Sequence, residues 1–237
     1  VILKNQGSLF CSHLIVTTGT FLNGLIHIGN STFRAGRMGE KPSLGLSETL
    51  VNNGFTLGRL KTGTPPRIDK NSINFSKTTV ASGDKHAHPF SILTPRPFIP
   101  KNENCFLINT NKVTHTIINK NLNKSPMFSG KIKGVGPRYC PSIEDKVFRF
   151  KERLSHQLFI EPEWSNSSQM YLNGFSTSLP EKVQLAALQS IEAFADIKLR
   201  RPGYAIEYDY FPPYQLKESL ESKEIAGLYL AGQINGT

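Results

Sequence analysis

Leu14-Ile15-Val16-Thr17-Thr18-Gly19-Thr20 is an apolar triplet that runs straight into a Thr/Gly turn. Leu228-Tyr229-Leu230-Ala231-Gly232-Gln233-Ile234-Asn235-Gly236-Thr237 repeats the arrangement at the other end of the chain. A short apolar run bounded by a turn signal reads as a buried parallel strand. In parallel α/β sheets ligands bind at the carboxyl ends of strands, where free backbone N–H groups meet phosphate. The two stretches therefore predict a mixed α/β fold. Gly232 and Gly236 would let the backbone approach a ligand, and Gln233 would hydrogen-bond a ligand hydroxyl or ring edge. Two ordinary strand-to-loop turns are the plainer reading of the same residues.

Working outward, Ser43 to Asn53 reads as a helix with Leu46, Leu50 and Val51 on one face and Gly54 as its stop. Phe55 to Leu60 is expected as a strand, and residues 69–88, rich in Asn, Lys, Ser and His, as an exposed loop. Cys105 to Ile108 is a strand candidate, with Thr110 capping a helix to about Asn121. Ser142-Ile143-Glu144-Asp145 resembles a capping box. Gln157 to Ile160 and Met170 to Phe175 read as strands. Ser178-Leu179-Pro180-Glu181 is the clearest helix start, with Ser178 as cap and Val183, Ala187, Ile191 and Phe194 as the apolar stripe. Tyr204 to Phe211 alternates with period two, which puts Glu207 and Asp209 on one face, either an acid/base pair or, the favoured reading, a solvated face.

Composition narrows the function. The 237 residues carry 28 Lys+Arg against 18 Asp+Glu, a net charge of +10, which favours a polyanionic partner. No run approaches the ~20 apolar residues of a membrane span. Cys11, Cys105 and Cys140 are odd in number and widely spaced, so neither a disulfide framework nor a zinc site is expected. The histidines, apart from His86 and His88, lack metal spacing. The chain begins at Val1 without Met and stops within a glycine loop, so it reads as an internal piece of a longer protein.

Three clusters hold groups able to do chemistry. The first is the pair of glycine turns already quoted. The second is Arg59-Leu60-Lys61-Thr62-Gly63-Thr64-Pro65-Pro66-Arg67, where three cations flank an expected turn, with Arg34 and Arg37 upstream. Such cations suit phosphate or carboxylate; ordinary surface cations are the alternative. The third is Gly134-Val135-Gly136-Pro137-Arg138-Tyr139-Cys140-Pro141-Ser142, which leads into the capped helix. A cysteine at a helix start gains thiolate character from the dipole and nearby cations, although most such cysteines are simply packed.

The ordered set of motifs resembles one family. It comprises Thr18 to Gly24, Gly58 to Arg67, Gly136-Pro137-Arg138-Tyr139-Cys140-Pro141-Ser142-Ile143-Glu144-Asp145-Lys146, Ser176 to Pro180, Arg201 to Asp209 and Ala231 to Thr237. By these residues the chain closely resembles the tRNA uridine 5-carboxymethylaminomethyl modification enzymes, MnmG or GidA in bacteria, along nearly its whole length. The resemblance implies a flavoprotein that modifies C5 of wobble uridine 34 in tRNA. It implies FAD, NADH as flavin reductant, and 5,10-methylenetetrahydrofolate as one-carbon donor. It also implies a homodimer working with a GTPase partner of the MnmE type, and no membrane. The setting would be the bacterial cytoplasm or, alternatively, the mitochondrial matrix.

Residue by residue, the resemblance implies FAD contacts at Ser43, Gly232 and Gln233. It implies an NAD segment formed by Gly136, Pro137, Arg138, Tyr139, Cys140, Pro141, Ser142, Ile143, Glu144, Asp145, Lys146, Val147, Phe148, Arg149 and Phe150. Cys140 would be the catalytic thiol, a candidate for attack on uracil C6 or for another covalent step, and Lys61 with Arg59 would line the cleft shared with folate or tRNA. The implied fold is α/β, a Rossmann-like FAD domain of the glutathione-reductase type interrupted by an inserted α+β domain. Residues 1–62 would be the C-terminal part of the FAD domain, 63–215 the inserted NAD/substrate domain, and 216–237 the return strand. The glycine-rich FAD-phosphate motif and a helical C-terminal domain would lie outside this fragment, which alone is expected to be inactive. Two rivals are a folate/FAD-dependent tRNA uridine-54 methyltransferase, which should lack the Pro137 to Lys146 run, and a non-catalytic RNA-binding module.

Overall fold

A computed structural model of the chain describes residues 1–3, 7–100, 102–137 and 141–236. Arg138, Tyr139, Cys140 and Thr237, named above, lie outside the described residues. In chain order the strands begin with β1 (Ile2–Leu3), β2 (Gly7–Ser8), β3 (Leu14–Val16), β4 (Leu25–Ile28) and β5 (Ser31–Arg34). Then follow α1 (Leu46–Asn52), β6 (Gly58–Thr64), β7 (Arg67–Asp69), β8 (Thr79–Ala81), β9 (Cys105–Asn109), α2 (Lys112–Lys120) and α3 (Ile143–Arg149). The last elements are β10 (Gln157–Pro162), β11 (Gln169–Asn173), α4 (Glu181–Gln189), β12 (Leu199–Arg201), β13 (Tyr204–Tyr210) and β14 (Leu228–Leu230).

The two opening stretches do pair in parallel: β14 lies beside β3, with Leu228, Tyr229 and Leu230 opposite Leu14, Ile15 and Val16. Ile15 is nevertheless exposed, because among the described residues β3 has β14 alone as its neighbour. Next to this pair stands a four-stranded antiparallel sheet of order β5-β4-β13-β6. The third sheet has six antiparallel strands, β12-β7-β11-β10-β9-β8. Its alternating residues Leu158, Ile160, Met170 and Leu172 are buried in the main core with Ile118 of α2, Ile143 and Val147 of α3, and Leu188 of α4. Period-two burial on the strands is what lets three short helices cover one sheet face. The expected boundary at residue 62 falls inside β6, and β13 pairs with both β4 and β6.

Several local expectations shift. The first helix starts at Leu46 rather than Ser43, since Gly45 adopts φ 91° and Ser43 bridges to Leu22. The strand expected over Phe55 to Leu60 runs instead from Gly58 to Thr64, so the supposed turn at Lys61 to Thr64 is extended. Asn111, not Thr110, caps α2. The Thr110 hydroxyl is taken up by His115 Nε2 at 2.8 Å and by the His156 N–H at 2.8 Å. Pro180 stands at the start of α4, where Ser178 provides no cap. The Ser178 hydroxyl instead meets Ser125 Oγ at 3.0 Å. Residues 69–81 are partly ordered by two 3₁₀ turns and β8, with Phe75 packed on Phe106. The highly exposed apolar side chains Phe90, Ile92 and Leu93 lie beyond them.

Candidate functional site

The face of the four-stranded sheet that carries Arg59, Lys61, Glu207, Asp209 and His27 is polar yet buried. Glu207 and Asp209 are each 4% exposed, which overturns the expectation of a solvated face. A loop from residue 131 to 137 lies across this face, so water is replaced by protein groups. Buried carboxylates require partners, and they have them. Asp209 Oδ1 accepts from Arg59 Nη1 at 2.7 Å and Oδ2 from Asn23 Nδ2 at 2.6 Å. Glu207 Oε2 lies 2.8 Å from His27 Nε2.

Between this loop, β6 and the start of α3 is a cleft of about 630 Å³. Lys61 forms its floor, Gly134 to Pro137 one wall, and Pro141, Asp145, Arg149 and Phe150 the other. The loop lies flat on the strand: Lys61 N–H donates to Val135 O at 3.0 Å. A Cβ on Gly134 would stand 2.9 Å from the Leu60 carbonyl carbon, and one on Gly136 would stand 3.0 Å from Lys61 Cε. At Gly134, against fixed backbone, only glycine permits that approach.

Lys61 is 7% exposed. Its Nζ lies 3.2 Å from Met127 Sδ, a weak acceptor. No carboxylate of the described residues is within ion-pair reach of it. The amine is thus held at the cleft floor with no carboxylate partner among the described residues. Arg67, from the same motif, is spent elsewhere: it pairs with Glu163 at 2.9 Å and stacks 4.5 Å over Tyr171. Arg37 pairs with Glu40 at the surface. Met127 was not legible as a site residue, because an isolated methionine carries no spacing signal.

The expected cofactor segment divides by what its side chains touch. Gly136, Pro137, Pro141, Asp145, Arg149 and Phe150 face the cleft. Ser142 and Asp145 form the reciprocal capping box, with Ser142 N–H donating to Asp145 Oδ2 at 3.0 Å and Asp145 N–H to Ser142 Oγ at 3.1 Å. Ile143 and Val147 enter the core. Phe148 packs edge-on against Phe128. Lys146 Nζ donates to Gly174 O at 3.0 Å, and burial lowers its pKa.

Glu144 is fully buried beneath the cleft. Its Oε1 accepts the Ser178 N–H at 3.0 Å, whereas Oε2 has no partner among the described residues. Burial, against the hydrogen bonds, pushes its pKa up. A carboxyl raised in the folded state contributes stability that is complete below the ordinary glutamate range and is lost as pH rises through the raised value. Glu144→Gln cannot lose a proton and keeps the Oε1 acceptor. The melting temperature of the variant relative to the parent is therefore expected to climb as pH rises above the ordinary glutamate range. A difference that stays flat with pH would remove the neutral carboxyl from this position.

The second constellation is at the carboxyl ends of β3 and β14. Ala231 N–H donates to Val16 O at 3.1 Å, which brings the two glycine turns together. Gly19 has φ 55° and Gly232 φ 81°, and a Cβ on Gly19 would lie 3.8 Å from Gln233 Oε1. Gln233 Nε2 reaches Tyr208 OH at 3.5 Å. Thr18 Oγ1 is buried without a partner among the described residues. Ser43 hydrogen-bonds through its backbone to Phe21 and Asn23, directly after this turn. Open left-handed glycines and an unsatisfied hydroxyl at strand ends fit a nucleotide cofactor.

Register joins the two places. Lys61 is opposite Glu207 on one face, and Leu60 opposite Tyr208 on the other. A Cβ on Gly236 would meet Leu60 Cδ1 at 3.8 Å. Of the histidines, His27 belongs to the buried network, while His115 and His156 stack at 5.1 Å with pKa values lowered first by burial. No group of three potential metal ligands occurs among the described residues. Cys11 is exposed; Cys105 is half-buried, and burial raises its pKa.

A parallel strand pair with apposed glycine turns, joined through a polar antiparallel sheet to a lysine-floored cleft, defines a mixed α/β protein with two adjoining candidate sites. The family model for glucose inhibited division protein A matches residues 1–237, and the chain belongs to that family. It is 55% identical over 224 residues to the tRNA uridine 5-carboxymethylaminomethyl modification enzyme MnmG of Chlorobium phaeovibrioides, covering 94% of this chain and 36% of that protein. It is 54% identical over 237 residues to the MnmG of Chlorobium phaeobacteroides, covering 100% of this chain and 37% of that protein. The crystal structure of Aquifex aeolicus GidA superposes with a TM-score of 0.87 at 48% identity, over 94% of this chain and 38% of that one. The chain thus spans little more than a third of the length of these relatives.

Proposed function

We propose that this chain contributes the Lys61 cleft and part of the FAD site to an enzyme that installs a carboxymethylaminomethyl-type group on C5 of wobble uridine 34 in tRNA. The observation that carries the reading is the buried Lys61 amine, with no carboxylate partner among the described residues, at the floor of a glycine-walled cleft. It is supported by the names of relatives more than 50% identical to the chain. FAD, when bound, would supply redox equivalents that side chains cannot. Gly19, Gly232, Gln233 and Ser43 would hold it at the strand ends. Gln233→Ala is expected to lower flavin occupancy of the purified full-length protein at least several-fold, read from absorbance near 450 nm; full occupancy would remove this contact.

In this reading NADH serves as reductant and 5,10-methylenetetrahydrofolate as one-carbon donor, with the Gly136 to Phe150 segment and Lys61 as their anchors. The net charge of +10 serves the tRNA phosphates. The working assembly would be a homodimer with a GTPase partner of the MnmE type in the bacterial cytoplasm, and the isolated 237 residues would be inactive.

Cys140, in the chain segment between the cleft-lining Pro137 and Pro141, is the nucleophile in this proposal. Its thiolate would bond to uracil C6 and push the ring electrons to C5 for attack on the one-carbon unit. Loss of the C5 proton and then of the thiolate would restore the ring. Cys140→Ser in the full-length protein is expected to abolish modification of uridine 34, measured by mass spectrometry of tRNA. Normal modification would refute the assignment.

A further inference from the structure

We propose that Glu207 is a positioning residue that latches the loop from Lys133 to Gly136 onto β6 and so sets the wall of the cleft facing Lys61. The carboxylate is 4% exposed and has its two oxygens committed in different directions. Oε1 accepts the N–H of Lys133 at 3.0 Å and of Gly134 at 2.8 Å. Oε2 lies 2.8 Å from Nε2 of His27, itself 2% exposed, so the histidine orients the carboxylate from behind. Hydrogen bonds from backbone N–H groups to a buried carboxylate are about twice as strong as neutral ones.

The loop has few other tethers. Lys61 N–H donates to Val135 O, and Ile132 N–H to Pro126 O at 3.2 Å. Val135 is 72% exposed, so its side chain adds little apolar packing to hold the loop down. Gly134 sits so close to the Leu60 backbone that a Cβ there would stand 2.9 Å from the Leu60 carbonyl carbon, while a Cβ on Gly136 would meet only the movable end of the Lys61 side chain. Two adjacent N–H groups on one fixed oxygen therefore decide how close the glycine wall comes to the lysine. Segments with few buried apolar contacts open locally once such bonds are removed. The ligand recognised is an anion, given the backbone wall, Lys61 and Arg149. Its identification as NADH rests on the functional reading above; the latch itself does not.

The experiment uses the full-length flavoprotein with Glu207→Ala and Glu207→Gln. Glutamine keeps an oxygen for both N–H groups and presents an amide to His27, so it preserves the latch. Hydrogen exchange of the Lys133 and Gly134 amides is expected to rise about 100-fold in Glu207→Ala and stay within about threefold in Glu207→Gln. KM for NADH in flavin reduction is expected to rise about tenfold in the alanine variant, with kcat within about twofold. Parental exchange in Glu207→Ala, or faster exchange with an unchanged KM, would overturn the proposal. Should Glu207→Ala fail to fold, Gly134→Ala replaces it, since its methyl must lift the loop off Leu60 with Glu207 intact. An unaltered KM there would overturn the proposal equally. If the parent protein is not reduced by NADH, the functional reading fails, and the exchange measurement alone decides whether Glu207 is the latch.

Discussion

Lys61→Met is expected to lower uridine-34 modification by the full-length protein by at least about 100-fold, the scale on which removal of a preorganised charge acts. Its melting temperature should stay unchanged or rise. The two halves have one cause. The Lys61 amine is nearly enclosed, its hydrogen-bond partner among the described residues is Met127 Sδ at 3.2 Å, and no described carboxylate pairs with it. Burying an amine without a carboxylate partner costs stability, and an unbranched apolar side chain of similar length removes that cost while filling the same space. A residue retained for the fold behaves oppositely: its loss lowers stability, and activity falls only in step. Parallel measurement of turnover and thermal unfolding separates the cases. Parental turnover in Lys61→Met would remove the amine from the site.

Asp209→Ala is expected to cost about 3 kcal/mol of stability, because it strands two partners at once. Arg59 Nη1 and Asn23 Nδ2 converge on this carboxylate at 2.7 and 2.6 Å. Arg59 is about a third exposed, at 31%, so water recovers part of its loss; Asn23 recovers less. For a domain of this size the loss corresponds to roughly 6–12 °C in melting temperature. Asp209→Asn retains one acceptor oxygen and should lose less. A calorimetric melting temperature for Asp209→Ala within about 2 °C of the parent would show that the Arg59–Asp209 pair contributes little.

Glu207 and Asp209 also show where reading a sequence stops short. Period-two alternation over Tyr204 to Tyr210 is real, and the strand forms where the pattern put it. Alternation, however, distinguishes two faces without saying what covers each. A polar face is solvated only if nothing packs on it, and here the Lys131 to Pro137 loop, distant in sequence, does. The Thr/Gly/Pro composition of Lys61 to Pro66 suggested a turn. Pairing with β13 over the full length of β6 overrides that preference, since ladder hydrogen bonds to a central strand outweigh small intrinsic propensities. At Ser178 the capping signal failed: Pro180 begins the helix, and Glu144 and Ser125 hold Ser178 in the buried layer.

What the sequence determined by itself was local or periodic. Apolar triplets ending in glycine specify the parallel pair β3 and β14. The Ser142/Asp145 capping box specifies the start of α3, and the ordered motifs place the chain in the GidA family over all 237 residues. Each depends on neighbours within a few residues or on the order of short words, which a linear string preserves. Tertiary structure alone decided that Lys61 lies at the floor of the cleft and that Gly134 and Gly136 wall it. It alone turned Glu207 from an expected surface carboxylate into the acceptor of two loop N–H groups. Those facts join residues roughly 70 to 150 positions apart. Their energies come from desolvation and from hydrogen bonds made only once the sheet and the loop close on one another, so no local pattern in the sequence records them.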